Sequence, residues 1–245
     1  MSDQDLDRKD DSVPKHYEVR QWLRQHVEGL PPGTPVPSER SLSEQFNFSR
    51  TTVRQALHDL AVEGRIVRMQ GRGTFVANPK VTQGLQLTSY TEDMLAQGMR
   101  PGTRLIDATV TEAEPDVAAQ LALEAGSPVA RIERVRFANG EPMAVETVYL
   151  DHGRFPDIVD KLTDDSSLYA LLESEYGVIP TEGEETIETV LASPVAWRLL
   201  GTEATTPMLA LTRATRDSEG RPIEYVRSLY RGDRFRLSTS ITRPD

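Results

Sequence analysis

Two arginines separated by one residue are the side chains of this sequence best suited to binding an anion. Arg134 and Arg136 lie in the segment 129–137, whose alternating apolar residues predict a strand. Because side chains alternate between the two faces of a strand, both arginines share a face with Ala130 and Ile132. Each guanidinium group offers a planar fork of N–H donors, which suits a phosphate or a carboxylate. The spacing therefore predicts an anion site in a partly buried cleft.

Two glutamates occur in a similar pattern on other predicted strands. Glu146 shares a strand face with Val148 and Leu150, and Glu224 shares one with Tyr230. A carboxylate on an otherwise apolar face pairs with an arginine or accepts hydrogen bonds from a ligand. From the strands alone, an internal Arg–Glu network without a ligand explains the pattern equally well.

A further group of polar side chains lies on one face of a helix predicted to start after Ser49, a favourable N-cap. The apolar residues that recur at helical spacing are Val53, Ala56, Leu57, Leu60 and Ala61. The opposite face carries hydrogen-bond donors and no acidic residue: Arg50, Thr51, Arg54, Gln55 and His58, with Thr52 near the boundary. This pattern suits readout of a DNA major groove, and taken alone it suits a solvated amphipathic helix equally well.

The segments on either side favour the DNA-reading interpretation. Ser38 is placed to cap a short preceding helix, and Asn47-Phe48 makes a tight connection to the long one. Two short strands, 66–69 and 74–77, then flank the tip Gln70-Gly71-Arg72-Gly73. Its glycines permit close backbone approach, and an arginine at such a tip suits the negative potential of a minor groove. Together, these segments predict a helix-turn-helix followed by a β-wing.

Composition excludes several classes of protein. The 245 residues include no cysteine, so disulfides and Cys-based metal sites are excluded, and the four histidines show no ligand-like pairing. No apolar run is long enough for a membrane span, and the acidic start does not resemble a signal peptide. There is no Ser/His/Asp arrangement or nucleotide-binding loop, so an enzyme is not expected. We expect no metal and no cofactor.

Charge is distributed unevenly along the chain, whose net charge is −10. Residues 14–80 hold 10 basic and 6 acidic side chains, whereas residues 81–245 hold 16 basic and 27 acidic ones. A basic head on an acidic body would turn the head toward phosphates and keep the body away from them. Residues 1–13 are charged and poor in apolar side chains, which predicts a disordered tail.

The elements that must position these residues alternate between helix and strand. A first helix is predicted from His16 to Glu28. After Asn78 the expected elements are a helix capped by Thr88 or Ser89, strands 105–113, 129–137, 143–150, 184–191, 208–216, 223–230 and 235–241, and helices 116–123, 168–176 and 196–200. Hairpin connections dominate, so an α+β domain on an antiparallel sheet is expected. A weak repeat, Gly140-Glu141-Pro142-Met143 against Gly220-Arg221-Pro222-Ile223, suggests pseudo-symmetry around a central cleft.

Residues 14–78 resemble the winged helix-turn-helix domain of the GntR family of bacterial transcription regulators. The resemblance is carried by Pro-Ser-Glu-Arg at 37–40, Ser-Arg-Thr-Thr-Val-Arg-Gln-Ala-Leu at 49–57 and Gly-Arg-Gly-Thr-Phe-Val at 71–76. It implies DNA contacts by Arg40, Ser49, Arg50, Thr51, Thr52, Arg54 and Gly71. The wing-tip pattern adds Arg72.

Residues 81–245 resemble the effector domain of the HutC subfamily, which has the chorismate-lyase fold. We expect a linker at 79–88 and the effector-binding domain itself at 89–245. The matching runs include Leu-Thr-Ser-Tyr-Thr-Glu-Asp-Met at 87–94, Arg-Ile-Glu-Arg-Val-Arg at 131–136 and Tyr-Arg-Gly-Asp-Arg-Phe at 230–235. The resemblance is to regulators of N-acetylglucosamine use in particular. It implies that Ser89, Arg134, Arg136, Ser167 and Tyr169 hold a phosphate. It further implies that Glu146, Glu224 and Tyr230 meet the sugar.

The expected function is a repressor of amino-sugar uptake and metabolism genes. The resemblance implies a cytoplasmic bacterial homodimer, associated with the nucleoid when DNA-bound, that binds double-stranded operator DNA. Glucosamine 6-phosphate or N-acetylglucosamine 6-phosphate would control it allosterically. The alternatives are the same architecture sensing another sugar phosphate or an organic acid, and an architectural DNA binder that ignores ligands, against which the arginine pair speaks.

Overall fold

The computed structural model describes residues 14–69, 71–241 and 243, and the tail predicted at 1–13 lies outside them. The chain divides into two compact units between Pro79 and Lys80. The first unit contains the predicted helix-turn-helix and wing. The second contains the predicted α+β domain.

Three helices of the first unit enclose one apolar core. They are α1 (Lys15–Val27), α2 (Glu39–Phe46) and α3 (Arg50–Val62). The buried core includes Leu23 from α1, Leu42 from α2 and Leu57 from α3. Asn47 adopts the left-handed conformation between α2 and α3, which asparagine tolerates better than most residues. The predicted turn of the helix-turn-helix is therefore present at this position.

The wing is an antiparallel hairpin of β1 (Ile66–Met69) and β2 (Gly73–Val76). A bridge from Pro35 to Phe75 adds a third segment beside β2, which the sequence pattern did not predict. Of the predicted tip residues, Gln70 lies outside the described residues.

The second unit contains a six-stranded antiparallel sheet in the order β4-β5-β6-β9-β8-β7. Its strands are β4 (Pro101–Glu112), β5 (Pro128–Ala138), β6 (Glu141–Asp151), β7 (Glu182–Leu191), β8 (Pro207–Arg216) and β9 (Pro222–Arg231). The helices are α4 (Tyr90–Ala96), α5 (Pro115–Leu121), α6 (Ile158–Lys161), α7 (Leu168–Tyr176) and α8 (Pro194–Leu200). Each half of the sheet follows the order helix, strand, helix, hairpin, and the two hairpins meet where β6 pairs with β9. The weak sequence repeat thus corresponds to two similar halves of one sheet.

A second, two-stranded sheet connects the two ends of this unit. Strand β3 (Val81–Gly84) pairs in parallel with β10 (Phe235–Ser238). Residues 81–84 were expected in the linker, and the parallel pairing with a strand about 150 residues away shows instead that they belong to the second unit. Helix α6 was not predicted, because four residues are too few to show helical periodicity.

Candidate functional site

All eight residues predicted to bind an effector line one cavity on a single face of the large sheet. The sheet supplies Arg134 and Arg136 from β5, Glu146 from β6, and Glu224 and Tyr230 from β9. Ser89 and Ser167 come from equivalent places in the two halves, because they are the N-caps of α4 and α7. The remaining lining residues are Gln83, Tyr90, Val148, Leu168, Tyr169, Arg213 and Val226.

The arginine pair is buried and only partly satisfied by the protein. Arg134 lies directly opposite Glu146 in the β5–β6 register, and its Nη2 forms an ion pair with Glu146 Oε1. Arg136 donates from Nη1 to Thr103 Oγ1 at 2.9 Å and stacks 4.6 Å from the ring centre of Tyr90. Nevertheless Arg134 Nε and Nη1 and Arg136 Nε are buried without a hydrogen-bond partner in the described structure. An internal Arg–Glu pair therefore exists, but it leaves donors that point to a further acceptor.

The electrostatics of this group favour an added negative charge. Burial lowers the pKa of Arg136, and the nearby charge of Arg134 lowers it further. For Glu146, burial alone would raise the pKa, but Arg134, Arg136 and Arg213 bring it below its ordinary value. Two adjacent buried cations repel each other, and an anion between them would relieve that repulsion.

The other carboxylate of the cavity has the opposite character. Glu224 Oε1 accepts a hydrogen bond of 2.7 Å from the Tyr169 hydroxyl. Burial raises the pKa of Glu224 above its ordinary value, despite the opposing effect of Arg213. Burial also raises the pKa of Tyr169, so that its hydroxyl stays protonated and donates. The cavity thus combines a positively charged region at the two arginines, which favours an anion, with a polar region around Glu224 that supplies hydrogen-bond acceptors.

The cavity is small. Its volume is about 30 Å³, whereas pockets that hold small molecules usually measure about 300–1,000 Å³. A phosphosugar can therefore enter only if rim side chains or helices move.

Sequence reasoning missed three residues of the cavity that carry polar groups, namely Arg213, Gln83 and Tyr90. Arg213 lies on β8 opposite Val226 of β9, on the cavity face, with its Nε 3.9 Å from Glu185 Oε1. Period-two alternation along β8 would have found it, as it found the β5 arginines. Gln83 lies on β3, and no local pattern marks it, because its strand partner is distant in sequence.

In the first unit, the predicted DNA-contacting residues lie on the surface of α2, α3 and the wing. Ser49 caps α3, with its Oγ accepting from the Thr52 amide at 3.1 Å. Arg50, Thr51 and Arg54 are exposed on the side of α3 away from its buried residues, and Thr52 is half-buried. Arg40, Ser49, Gly71 and Arg72 are also exposed. Gly71 has a φ of +70°, the left-handed region that glycine adopts without strain.

Within the described residues, no group of three or more His, Asp or Glu side chains is arranged to hold a metal ion. None of the described helices combines the length and the apolar character that crossing a membrane requires.

Comparison with known families matches both units. Residues 16–76 match the gntR family of bacterial regulatory proteins, and residues 96–236 match the UTRA domain. The HTH-type transcriptional repressor NagR of Bacillus subtilis is 38% identical over 234 residues, covering 93% of this chain and 94% of that protein. The HTH-type transcriptional repressor PhnF of Mycolicibacterium smegmatis is 40% identical over 223 residues, covering 91% of each.

A solved structure agrees with these matches. The crystal structure of PhnF from Mycobacterium smegmatis has a TM-score of 0.67 at 38% identity, covering 92% of this chain and all of that one. The expected α+β architecture, a helix-turn-helix domain with an antiparallel-sheet effector domain, is therefore confirmed. The named relatives are transcription regulators and not enzymes, as expected for this chain. The chain belongs to the GntR family of bacterial regulatory proteins, as a DNA-binding transcriptional repressor of the HutC type with a UTRA effector domain.

Proposed function

We propose that this chain is a homodimeric repressor of amino-sugar uptake and metabolism genes, controlled by glucosamine 6-phosphate or N-acetylglucosamine 6-phosphate. The observation that carries the proposal is the pair of buried arginines with unpartnered N–H donors. A phosphate dianion supplies several acceptors at once and matches the planar forks of two guanidinium groups.

The groups around the arginines divide the cavity between the two ends of such a ligand. The hydroxyls of Ser89 and Ser167 are suited to the phosphate oxygens, and the hydroxyl of Tyr169 can join them once it releases Glu224, to which it donates here. Glu146, Glu224 and Tyr230 are suited to the sugar hydroxyls and to the amino or amide nitrogen. Similarity to NagR, over nearly the whole of both chains, supports an amino sugar.

Control of DNA binding requires that the ligand bind one arrangement of the protein more tightly than another. The small volume of the cavity supports this requirement, because a phosphosugar fits only after part of the rim moves. Both Ser89 and Tyr90 lie at the start of α4, soon after β3, so movement there would reach the segment that adjoins the first unit.

Calorimetric titration of the purified chain with each phosphosugar tests the proposal. We expect saturable binding of at least one of them, and its loss in Arg134→Ala. The matched control is Arg131→Ala, because Arg131 lies on the same strand but alternation places it on the other face of the sheet. Binding that survives Arg134→Ala, or a folded protein that binds neither sugar, would contradict the assignment.

The runner-up is the same architecture with a different anion, such as another sugar phosphate or an organic acid. It is favoured by the spread of names among relatives of comparable similarity, since PhnF is 40% identical and a histidine utilization repressor of Pseudomonas putida is 34% identical. Titration with a wider panel of anions, with the same two arginine variants, distinguishes this candidate from the first.

A further inference from the structure

Two acidic side chains of α2 lie beside predicted DNA-contacting arginines, because Glu44 pairs with Arg40 and Glu39 pairs with Arg54. Glu39 is the first residue of α2, directly after its N-cap Ser38. Its carboxylate accepts hydrogen bonds from Arg54 of α3, at 3.3 Å from Nε to Oε1 and 3.0 Å from Nη2 to Oε2. It also accepts one from Arg68 Nη2 of β1, at 2.8 Å to Oε1. One carboxylate thus connects the helix-turn-helix to the wing.

The charge of Glu39 is secured by these contacts. The hydrogen bond from Arg54, with the nearby charges of Arg68 and Arg50, lowers the pKa of the Glu39 carboxyl despite partial burial. The side chain is therefore ionised at neutral pH. A negative charge near a surface that contacts DNA repels phosphates and weakens binding. We therefore expect Glu39 to make another contribution that offsets this repulsion.

The geometry of the Arg54 contact suggests what that role is. Glu39 engages the side edge of the guanidinium group, which is formed by Nε and Nη2. Of the five N–H donors of an arginine, this leaves both hydrogens of Nη1 and the second of Nη2 for another partner. One hydrogen of Nη1 and that second hydrogen of Nη2 form the end edge, and an arginine can use this edge to bind guanine O6 and N7 together in the major groove.

We propose that Glu39 is a positioning residue for operator recognition, which holds Arg54 by one edge so that the other edge meets a guanine. This rests on the proposed contact of Arg54 with operator DNA. A guanidinium group that is already oriented loses less conformational freedom on binding, and it tolerates fewer alternative bases than a mobile one. The competing interpretation is a purely structural connection between α2, α3 and β1.

The test uses the full-length chain without effector. A random double-stranded DNA library is first used to select the preferred site of the wild type. Affinities are then measured for that site, for each single base-pair replacement of it, and for random-sequence DNA. The proteins compared are wild type, Glu39→Gln, Glu39→Asp, Arg54→Ala and the double variant Glu39→Gln/Arg54→Ala. Glu28→Gln is the matched control, because it removes the same charge from an exposed position at the end of α1.

We expect Arg54→Ala to abolish the preference for one G·C pair. A bidentate arginine–guanine contact discriminates by roughly 5- to 150-fold, so Glu39→Gln should lose at least about fivefold at that same pair. Its affinity for random-sequence DNA should stay equal or rise, because one negative charge is removed. Glu39→Asp, which keeps the charge on a shorter side chain, should lose part of the discrimination, and the double variant should match Arg54→Ala alone.

Two results would overturn the proposal. If Glu39→Gln weakens binding to every sequence by the same factor, or changes nothing beyond the Glu28→Gln control, Glu39 only connects structural elements. If Arg54→Ala leaves the base preference intact, the contact of Arg54 with DNA is itself absent. This result is distinguishable from a failure of the Glu39 proposal, because the Arg54→Ala variant leaves Glu39 unchanged.

Discussion

At the scale of single residues, the cavity places two glutamates in opposite electrostatic environments a few side chains apart. Glu146 lies against two buried arginines, and its pKa is lowered. Glu224 is bonded by the neutral hydroxyl of Tyr169, and burial raises its pKa. The two carboxyls therefore contribute to stability with opposite dependence on pH.

Replacing Glu224 by Gln should stabilise the protein at alkaline pH. The pKa of Glu224 is higher in the folded chain than in the unfolded one, so ionisation costs stability as pH rises from the ordinary carboxyl pKa through the folded pKa. Glutamine remains neutral and still accepts from Tyr169. Thermal unfolding at pH 4 and pH 8 should show a higher Tm for Glu224→Gln than for wild type at pH 8, and a smaller difference at pH 4.

The control is Glu146→Gln, for which the expected change in Tm at pH 8 has the opposite sign. Glu146 stabilises the folded chain above the ordinary carboxyl pKa and loses that effect as pH falls through its lowered value, so Glu146→Gln should lower the Tm at pH 8. A lower Tm for Glu224→Gln than for wild type at pH 8 would contradict the electrostatic account of this site.

The polar residues of the cavity were predictable to the extent that local periodicity marks them. Alternation along the chain placed Arg134 and Arg136 on one face, and they do line one cavity. The ion pair to Glu146 and the donors that it leaves unused depend on strand register, which a single sequence does not specify. The contacts of Glu39 were not predictable for a similar reason, because its partners Arg54 and Arg68 are 15 and 29 residues away in the sequence.

At the scale of elements, the hairpins of the second unit were predictable from their turns. Asn139-Gly140 has positive φ at both residues, as a tight two-residue hairpin requires. The pairing of β3 with β10 was not predictable, because the two strands are short and lie at opposite ends of the unit. The pairing of β6 with β9, which joins the two halves, was not predictable either, because it depends on the arrangement of the whole sheet.

The corner between β9 and β10 should tolerate no larger residue at Gly232. A Cβ there would lie 2.7 Å from the carbonyl oxygen of Pro207, and this backbone atom cannot yield as a flexible side chain would. Overpacking typically costs about 1–3 kcal/mol, so Gly232→Ala should lower the free energy of unfolding by roughly that amount. Chemical denaturation measures it.

Gly84→Ala in β3 is the matched control. There a Cβ meets only the Gln86 side chain, at 3.6 Å or more, so the substitution should have little effect. Equal stability of the two variants would show that the corner relaxes more easily than its packing indicates.

At the scale of the whole molecule, the two parts of the chain differ in net charge, because residues 14–80 hold 10 basic and 6 acidic side chains and residues 81–245 hold 16 basic and 27 acidic ones. Attraction to DNA should therefore arise from the first unit and weaken with salt. The logarithm of the association constant falls by about 0.9 per neutralised phosphate for each unit of log salt.

Arg72→Ala should reduce this salt slope by about one if the wing-tip arginine neutralises a phosphate. Fluorescence anisotropy of a labelled duplex bearing the selected site, measured over a series of salt concentrations, gives the slope. Arg100→Ala, an exposed position in the second unit, should leave the slope unchanged. An unchanged slope in Arg72→Ala would place this arginine away from the phosphates.

The parallel pairing of β3 with β10 has a consequence for synthesis of the chain. All segments of the first unit have left the ribosome once residue 79 has emerged, and domains generally fold in order of synthesis. The second unit must wait for residues 235–238 before its first strand finds a partner. During each round of translation the DNA-binding unit can therefore fold before the effector domain is complete. A message truncated before residue 235 would yield a nascent regulator that can reach DNA but has no complete effector domain to answer a signal.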